Sequence, residues 1–337
     1  MRIGSFVPKG TGEIRIGVVT DGQESMLDLN AAYRSYLKDI KGEYQAEKIA
    51  DALMPKDMLA FIDGGPKNLD RMKTAVEYVN NLRSKNKDLK ERNILYEMSE
   101  IRLKSPIPRP RGIGIGYFNA KGIIEEASRV GKKGGIKTTA DYPTQATISW
   151  SHPGTVIGPD EPIIYPKMSE RVFDSIELGL VVGKEAYQVS RDKAQEYIFG
   201  YTVTTDITAF DLIQTESLVY TICRCKSMPT FWPTGPWIVL PDQIGDVHNL
   251  EAIVRINGKE RMRGNSRNYI FEPIDYIDHV SQYMVLEPGT LIAMGAFCET
   301  TYTFINPGDI VENEIEGIGV LRNPVISEDK AKKKGLI

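Results

Sequence analysis

The segment FDSIELGLVVGKEAY, Phe173 to Tyr187, constrains the fold of this 337-residue chain more than any other stretch. Ile176, Leu178, Leu180, Val181 and Val182 make a near-continuous apolar run, the pattern of a strand buried on both faces. Glu177 sits inside that run, where a carboxylate is expensive unless a cation or hydrogen-bond donors meet it. Gly183 closes the strand, and Ser190 opens a short amphipathic helix in SRDKAQEYIF. A second β-rich run, GYTVTTDITAFD, carries Asp206 in its middle. Two acids arriving from separate strands could form an oxygen-ligand site for a hard divalent cation. They could equally be structural charges paired with lysine or arginine, and spacing alone slightly favours that second reading. Asp174 lies three residues before Glu177 and on a regular strand would face the other way, while Ser175 shares Glu177's face. Only a bulge would bring Asp174 in.

The rest of the chain divides around this segment. Residues 1–100 read as a small α/β module, scaffold or lid. It contains a strand closed by an Asp-Gly turn in GEIRIGVVTDG, and a helix from Pro66 to Leu82 with Leu69, Met72, Val76, Val79 and Leu82 on one face. RLKSPIPRPRG marks a Pro-rich connector at 101–110. Residues 111–326 read as a β-rich, catalytic-type domain, including a hairpin that turns at Asn257-Gly258. Residues 327–337 read as a solvated tail. The fold class expected is α+β and β-dominated.

Several function classes find no footing. The net charge of −3 gives no case for nucleic acid or an anionic membrane as partner. No apolar run approaches the ~18 residues that span a bilayer. The N-terminus lacks the apolar core of a secretory signal, so the cytoplasm is the expected compartment. Three cysteines cannot build a disulfide framework, and Cys223-x-Cys225 is too little for zinc. GIGIGYFNAKG lacks the dinucleotide-binding spacing, and GKKGGIKTT has Ile136 where a phosphate loop needs glycine. His152, His248 and His279 are isolated, outside any nucleophile–base pattern. Lys226, beside the aromatic SMPTFWPTGPW, suits binding a carboxylate or an enolate oxygen, or snorkels at the surface.

The second half resembles the fumarylacetoacetate hydrolase superfamily. The resemblance runs through RLKSPIPRP and GIGY, TVIGPDEPIIYP, IELGLVVGK, YIFGYTVTTDITAFD, KSMPTFWPTGPWIV, RINGKERMRGNS, LEPGTLIAMG and FINPGDIVENEIEGIGVLRNPV. It implies a mixed β-sandwich roll, usually a homodimer. It also implies a Mg²⁺- or Mn²⁺-dependent site acting on a small 2-oxo acid or 1,3-dicarbonyl compound. The family's reactions are C–C hydrolysis, decarboxylation, isomerisation and dehydration, sharing a metal-stabilised enolate, and they make such a chain a catabolic hydrolase or lyase. By position, Glu177 and Asp206 match metal ligands and Lys226 matches the substrate-facing lysine.

The departures bear on chemistry. Ser175 replaces the first glutamate of the family's E-x-E motif. Tyr117 keeps its place, but Gly116, Ala120 and Ile123 replace the asparagine, histidine and glutamate that accompany it. Glu125 and Glu126 follow out of register, leaving Glu126 as the candidate water-activating carboxylate. Phe210 stands where an arginine is usual, and Ile213 where a glutamine is, with Gln214 one step on. Ala296 alters the late glycine-threonine-proline segment. Asp174 through a bulge, or Ser175 through a metal-bound water, would compensate for the missing charge. Tyr117, Ser175, Phe210 and Gln214 would shape the substrate pocket, which Phe210 makes less suited to a dianion. The alternatives are a metal-free, non-catalytic binding or regulatory relative, and an enzyme using Lys226 as a Schiff-base amine.

Overall fold

The computed structural model describes residues 1–20, 22–84, 89–90, 92–117, 119–120, 144–216, 223–297 and 303–337, with the backbone alone for 214–216. The apolar run forms the strand Ile176–Val182, buried at every position. Each fully buried Leu or Val in it contributes about 1.5–3 kcal/mol relative to exposure. It pairs antiparallel with Ile198–Thr205 on one side and with Leu291–Ala296 on the other. Outward from Leu291–Ala296 lie Ile113–Gly116, parallel to it, and then Ile148–Ser151. On the other flank Ile198–Thr205 pairs with Trp232–Val239.

The N-terminal strands extend this same sheet. Arg2–Pro8 pairs with Trp232–Val239, Arg2 opposite Val239 and Ile3 opposite Ile238. Arg15–Val19, Ser25–Asp28 and Leu95–Glu97 continue outward. The segment after residue 100, expected as a connector, contributes Ile101–Leu103 as another partner of Arg2–Pro8. Four helices lie between these strands in sequence: Leu29–Asp39, Ala46–Leu53, Met58–Asp63 and Gly65–Ser84. Asp28 caps the first by accepting from the Ala31 amide at 3.0 Å, a bond worth about 1 kcal/mol. The fourth buries Met72, Val79 and Leu82, while Leu69 and Val76 pack at the margin. Their shared core reaches Val181, Phe199 and Ile238 of the long sheet.

Two smaller sheets complete the described strands. Val172–Asp174 lies between Thr208–Ala209 and Thr303–Ile305. The other holds the hairpin Glu251–Ile256 and Lys259–Asn265, then Ile310–Ile315, Gly319–Ser327 and Ile163–Tyr165. Its turn has φ +53° at Asn257 and +74° at Gly258, the left-handed pair that a tight hairpin requires. The fold is thus mixed α and β and strand-rich. The tail, expected to be wholly solvated, forms a helix over Glu328–Lys333. Ser327 caps it and Ala331 packs against Ile164 and Ile326, but every residue from Lys332 on is exposed. Among the described residues no helix is long and apolar enough to cross a membrane.

Candidate active site

Ser175 is the joint at which the chain leaves the three-stranded sheet and enters the long one. Strand Val172–Asp174 ends just before it and Ile176–Val182 begins just after. Glu177 then stands opposite Thr204 on one neighbour and Ala296 on the other. Strand Ile198–Thr205 runs out one residue before Asp206, whose amide donates to the Ser175 carbonyl at 2.9 Å. The two acids therefore come from paired strands at the same sheet end, and both are buried.

Lys226 comes from a third segment, the short helix Cys223–Lys226, which buries Cys225. The Trp232 indole N–H donates to the Lys226 carbonyl at 2.9 Å and to Ser151 Oγ at 2.7 Å, fixing the backbone there. The buried Lys226 ammonium donates to Asp206 Oδ2 in a very close contact and to Thr208 Oγ1 at 2.7 Å. Thr208 in turn donates to Asp206 Oδ1 at 3.3 Å. Lys226 Nζ also lies 5.9 Å from the centre of the Phe173 ring. The nitrogen is thus engaged as a donor, rather than presented as a nucleophile.

Glu177 accepts a hydrogen bond from the Gly295 amide at 2.8 Å. Burial pushes its carboxyl up to about 8; the neighbouring Asp206 charge pushes the same way, and Lys226 pulls back. Asp206 is also raised by burial, against the pull of Lys226. Tyr117 follows the strand Ile113–Gly116, and its hydroxyl sits 2.8 Å from Ser149 Oγ. Burial, followed by the charge of Asp206, holds that phenol far above its ordinary value, so it stays a neutral hydrogen-bond donor or acceptor. Tyr269 and Tyr276 are raised by burial and by Glu177 as well; their hydroxyls donate to the carbonyls of Gly295 and Met294.

Asp174 stands apart from this pair. No bulge turns it inward, because the strand breaks at Ser175 and the alternation restarts. Its Oδ1 accepts from Thr205 and from Asn313 Nδ2, the latter at 3.2 Å in the neighbouring sheet. Burial lifts its carboxyl to about 6. Among the described residues no three acids, histidines or cysteines group around one ion position. Phe210 packs edge-to-face on Phe173, with centres 5.8 Å apart. Gln214 lies on the helix Phe210–Glu216, its side chain outside the described set; Ile123, Glu125 and Glu126 lie outside the described residues altogether. His279 accepts from the Ala146 amide and His152 from that of Gly154, both in structural roles.

Thr208 and Gly295 were not foreseen. Thr208 follows Asp206 by two residues in extended chain, a spacing that shares a face. Gly295 offers chemistry only through its backbone, which leaves no mark in side-chain patterns. The donor set at the site is hard oxygen: two buried carboxylates, Asp206 met by the Lys226 ammonium and Glu177 by the Gly295 amide. That fits Mg²⁺ or Mn²⁺, since Mg²⁺ commonly takes one or two protein carboxylates and completes its shell with water and substrate oxygens.

Comparison with known proteins identifies the family. The family model described as fumarylacetoacetate (FAA) hydrolase, C-terminal, matches residues 117–326. An uncharacterized protein of Pyrococcus abyssi is 37% identical over 214 residues, 62% of this chain and 89% of that one. The mitochondrial oxaloacetate tautomerase Fahd2a of Rattus norvegicus is 28% identical over 282 residues, 82% of each chain. The crystal structure of maleylpyruvate hydrolase from Sphingobium sp. SYK-6, in complex with manganese(II) ion and pyruvate, shares the fold. Its TM-score is 0.68 at 21% identity, covering 97% of this chain and 99% of that one. The match spans the strand that carries Glu177, the strand end that Asp206 follows and the helix that carries Lys226, and the chain belongs to the fumarylacetoacetate hydrolase family.

Proposed function

We propose that this protein is a Mg²⁺- or Mn²⁺-dependent enzyme that turns a 2-oxo acid or 1,3-dicarbonyl compound over through its enolate. The observation that carries the reading is the meeting of Glu177, Asp206 and Lys226, from three separate segments, in one buried place. Glu177 and Asp206 would hold the ion, which when bound supplies Lewis-acid stabilisation of charge on the substrate oxygens. The Lys226 ammonium, oriented by Asp206 and Thr208, donates to the developing enolate oxygen and so favours the charge-separated transition state. Tyr117, kept protonated, donates a further hydrogen bond or positions the carboxylate. Phe173 and Phe210 exclude water from the substrate's carbon chain.

Ala120 is fully buried and bridged to Tyr269. Ala120 thus offers no ionisable side chain at the position of the expected histidine, which favours reactions that need enolisation alone: tautomerisation, isomerisation, decarboxylation or dehydration. The name of the rat relative, an oxaloacetate tautomerase, supports that order of preference. C–C hydrolysis stays within the class, with Glu126 as its water-activating group. The protein is inferred to act in the cytoplasm as a homodimer, a state that light scattering would report.

The direct test follows enol-oxaloacetate ketonising in the ultraviolet, with EDTA and then with Mg²⁺ or Mn²⁺. A metal-dependent rate well above the buffer rate is expected. A rate equal to the buffer's under every condition, and likewise for other 2-oxo acids, would leave the metal-free binding relative as the better reading.

A further inference from the structure

Phe210 removes the arginine expected at its position, yet a guanidinium lies directly over it. Arg171 Cζ sits 5.0 Å from the centre of the Phe210 ring and 4.7 Å from that of Phe304. The Phe210 amide donates to the Arg171 carbonyl at 2.7 Å, tying the two residues together. Arg171 is exposed, and among the described residues its guanidinium has no ion-pair or hydrogen-bond partner. The nearby acid Asp211 is committed elsewhere, accepting from Ser169 Oγ at 2.5 Å and the Glu170 amide at 2.9 Å.

The two rings belong to a closed aromatic triangle. Phe173 and Phe210 are 5.8 Å apart, Phe173 and Phe304 6.3 Å, and Phe210 and Phe304 6.0 Å, all edge-to-face. The Lys226 ammonium lies against the third ring, Phe173. A cation therefore stands at each end of one aromatic cluster: Lys226 on its buried side and Arg171 on its exposed side. Stacking on two rings restricts the arginine's rotamers while leaving its planar fork of donors open, the arrangement that binds a carboxylate in bidentate fashion.

We propose that Arg171 binds the remote carboxylate of a medium-length dicarboxylic 2-oxo acid, whose 2-oxo head sits at Lys226 and whose carbon chain lies along Phe173, Phe210 and Phe304. The inference rests on the proposed function for the position of the head. It also revises the expectation drawn from Phe210, because the positive charge is supplied from the adjoining strand end instead of being lost.

The experiment is calorimetric binding, with Mg²⁺ present, of 2-oxoglutarate, 2-oxoadipate and 2-oxopimelate. Each is compared with the 2-oxo monocarboxylic acid of equal carbon number, and oxalate reports the head site alone. The wild type should prefer at least one diacid by about tenfold or more, the scale of a charge-assisted hydrogen-bonded pair. Arg171→Ala should abolish the preference without weakening oxalate, and Arg171→Lys should restore it only in part. Arg261→Ala is the charge control: Arg261 is exposed and lines a cavity of about 340 Å³ together with Phe304. It should leave the preference intact. An unchanged preference in Arg171→Ala, or an equal loss in Arg261→Ala, overturns the proposal. Oxalate binding without any diacid preference overturns it while leaving the enolising function in place. Diacid preference abolished by Arg171→Ala, with no oxalate binding, upholds Arg171 and counts against the proposed function.

Discussion

The Gly295 amide reaches Glu177 Oε2 at 2.8 Å because Gly295 holds φ at +95°, a conformation that turns its N–H toward the acid. A Cβ at this position would stand 3.0 Å from Asn119 Cβ. The glycine therefore answers both a backbone and a packing demand. Gly295→Ala should destabilise the protein by about 1–3 kcal/mol, the range for a residue forced into a disfavoured backbone region. It should also loosen Glu177, which weaker Mn²⁺ binding would report alongside the chemical-denaturation midpoint.

Lys226 and Asp206 form a buried ion pair, and removing one partner strands the other's charge. Lys226→Met should lose about 3–5 kcal/mol by denaturant titration and about 10²–10³-fold in kcat. Adding Asp206→Asn to that variant should recover much of the stability and none of the activity. A double-mutant cycle measures this coupling directly.

The apo protein's stability should fall with rising pH. Glu177 is raised from its ordinary 4.5 to about 8 in the folded state, so the folded protein binds more protons than the unfolded one between those values. Stability conferred by the protonated carboxyl is complete below about pH 4.5 and is lost as pH rises through about 8. Thermal melts in EDTA from pH 5 to 8.5 should show the decline, and Glu177→Gln should flatten it. A bound divalent cation reverses the preference for the neutral form, so added Mg²⁺ should raise the melting temperature more at pH 8 than at pH 6.

Ser175 adjoins both acids: it precedes Glu177 by two residues, and its carbonyl accepts from the Asp206 amide. Ser175→Glu would restore the carboxylate that the family resemblance places there. Divalent-ion affinity should rise by about tenfold or more from the added charge, while the metal-free protein should melt lower. Calorimetry and a thermal melt on the same sample check both.

The elements most visible in the sequence were those with a strong local signal. Ile176–Val182 declared itself by its near-continuous hydrophobicity, and the 251–265 hairpin by Asn257-Gly258. Glu177 and Asp206 stood out because an acid within an apolar strand demands a partner, and Lys226 by its aromatic surroundings, to which the family resemblance added its substrate-facing position. What stayed hidden was non-local or carried by backbone. The pairing of Arg2–Pro8 with Trp232–Val239, which joins the N-terminal strands to the long sheet, links segments more than two hundred residues apart. Asp174 faces away from Glu177 as simple alternation expects, but its partners Thr205 and Asn313 could not be read from spacing. Arg171 gave no sign of its place over Phe210, since a stack between side chains on different elements has no spacing in sequence.

The most direct test of the account titrates Mg²⁺ and Mn²⁺ into the protein by calorimetry, with and without oxalate, and repeats this with Glu177→Gln and Asp206→Asn. Saturable binding of one ion per chain is predicted, tightened by oxalate and weakened sharply in both variants. No binding at millimolar metal, with oxalate or without, would contradict it.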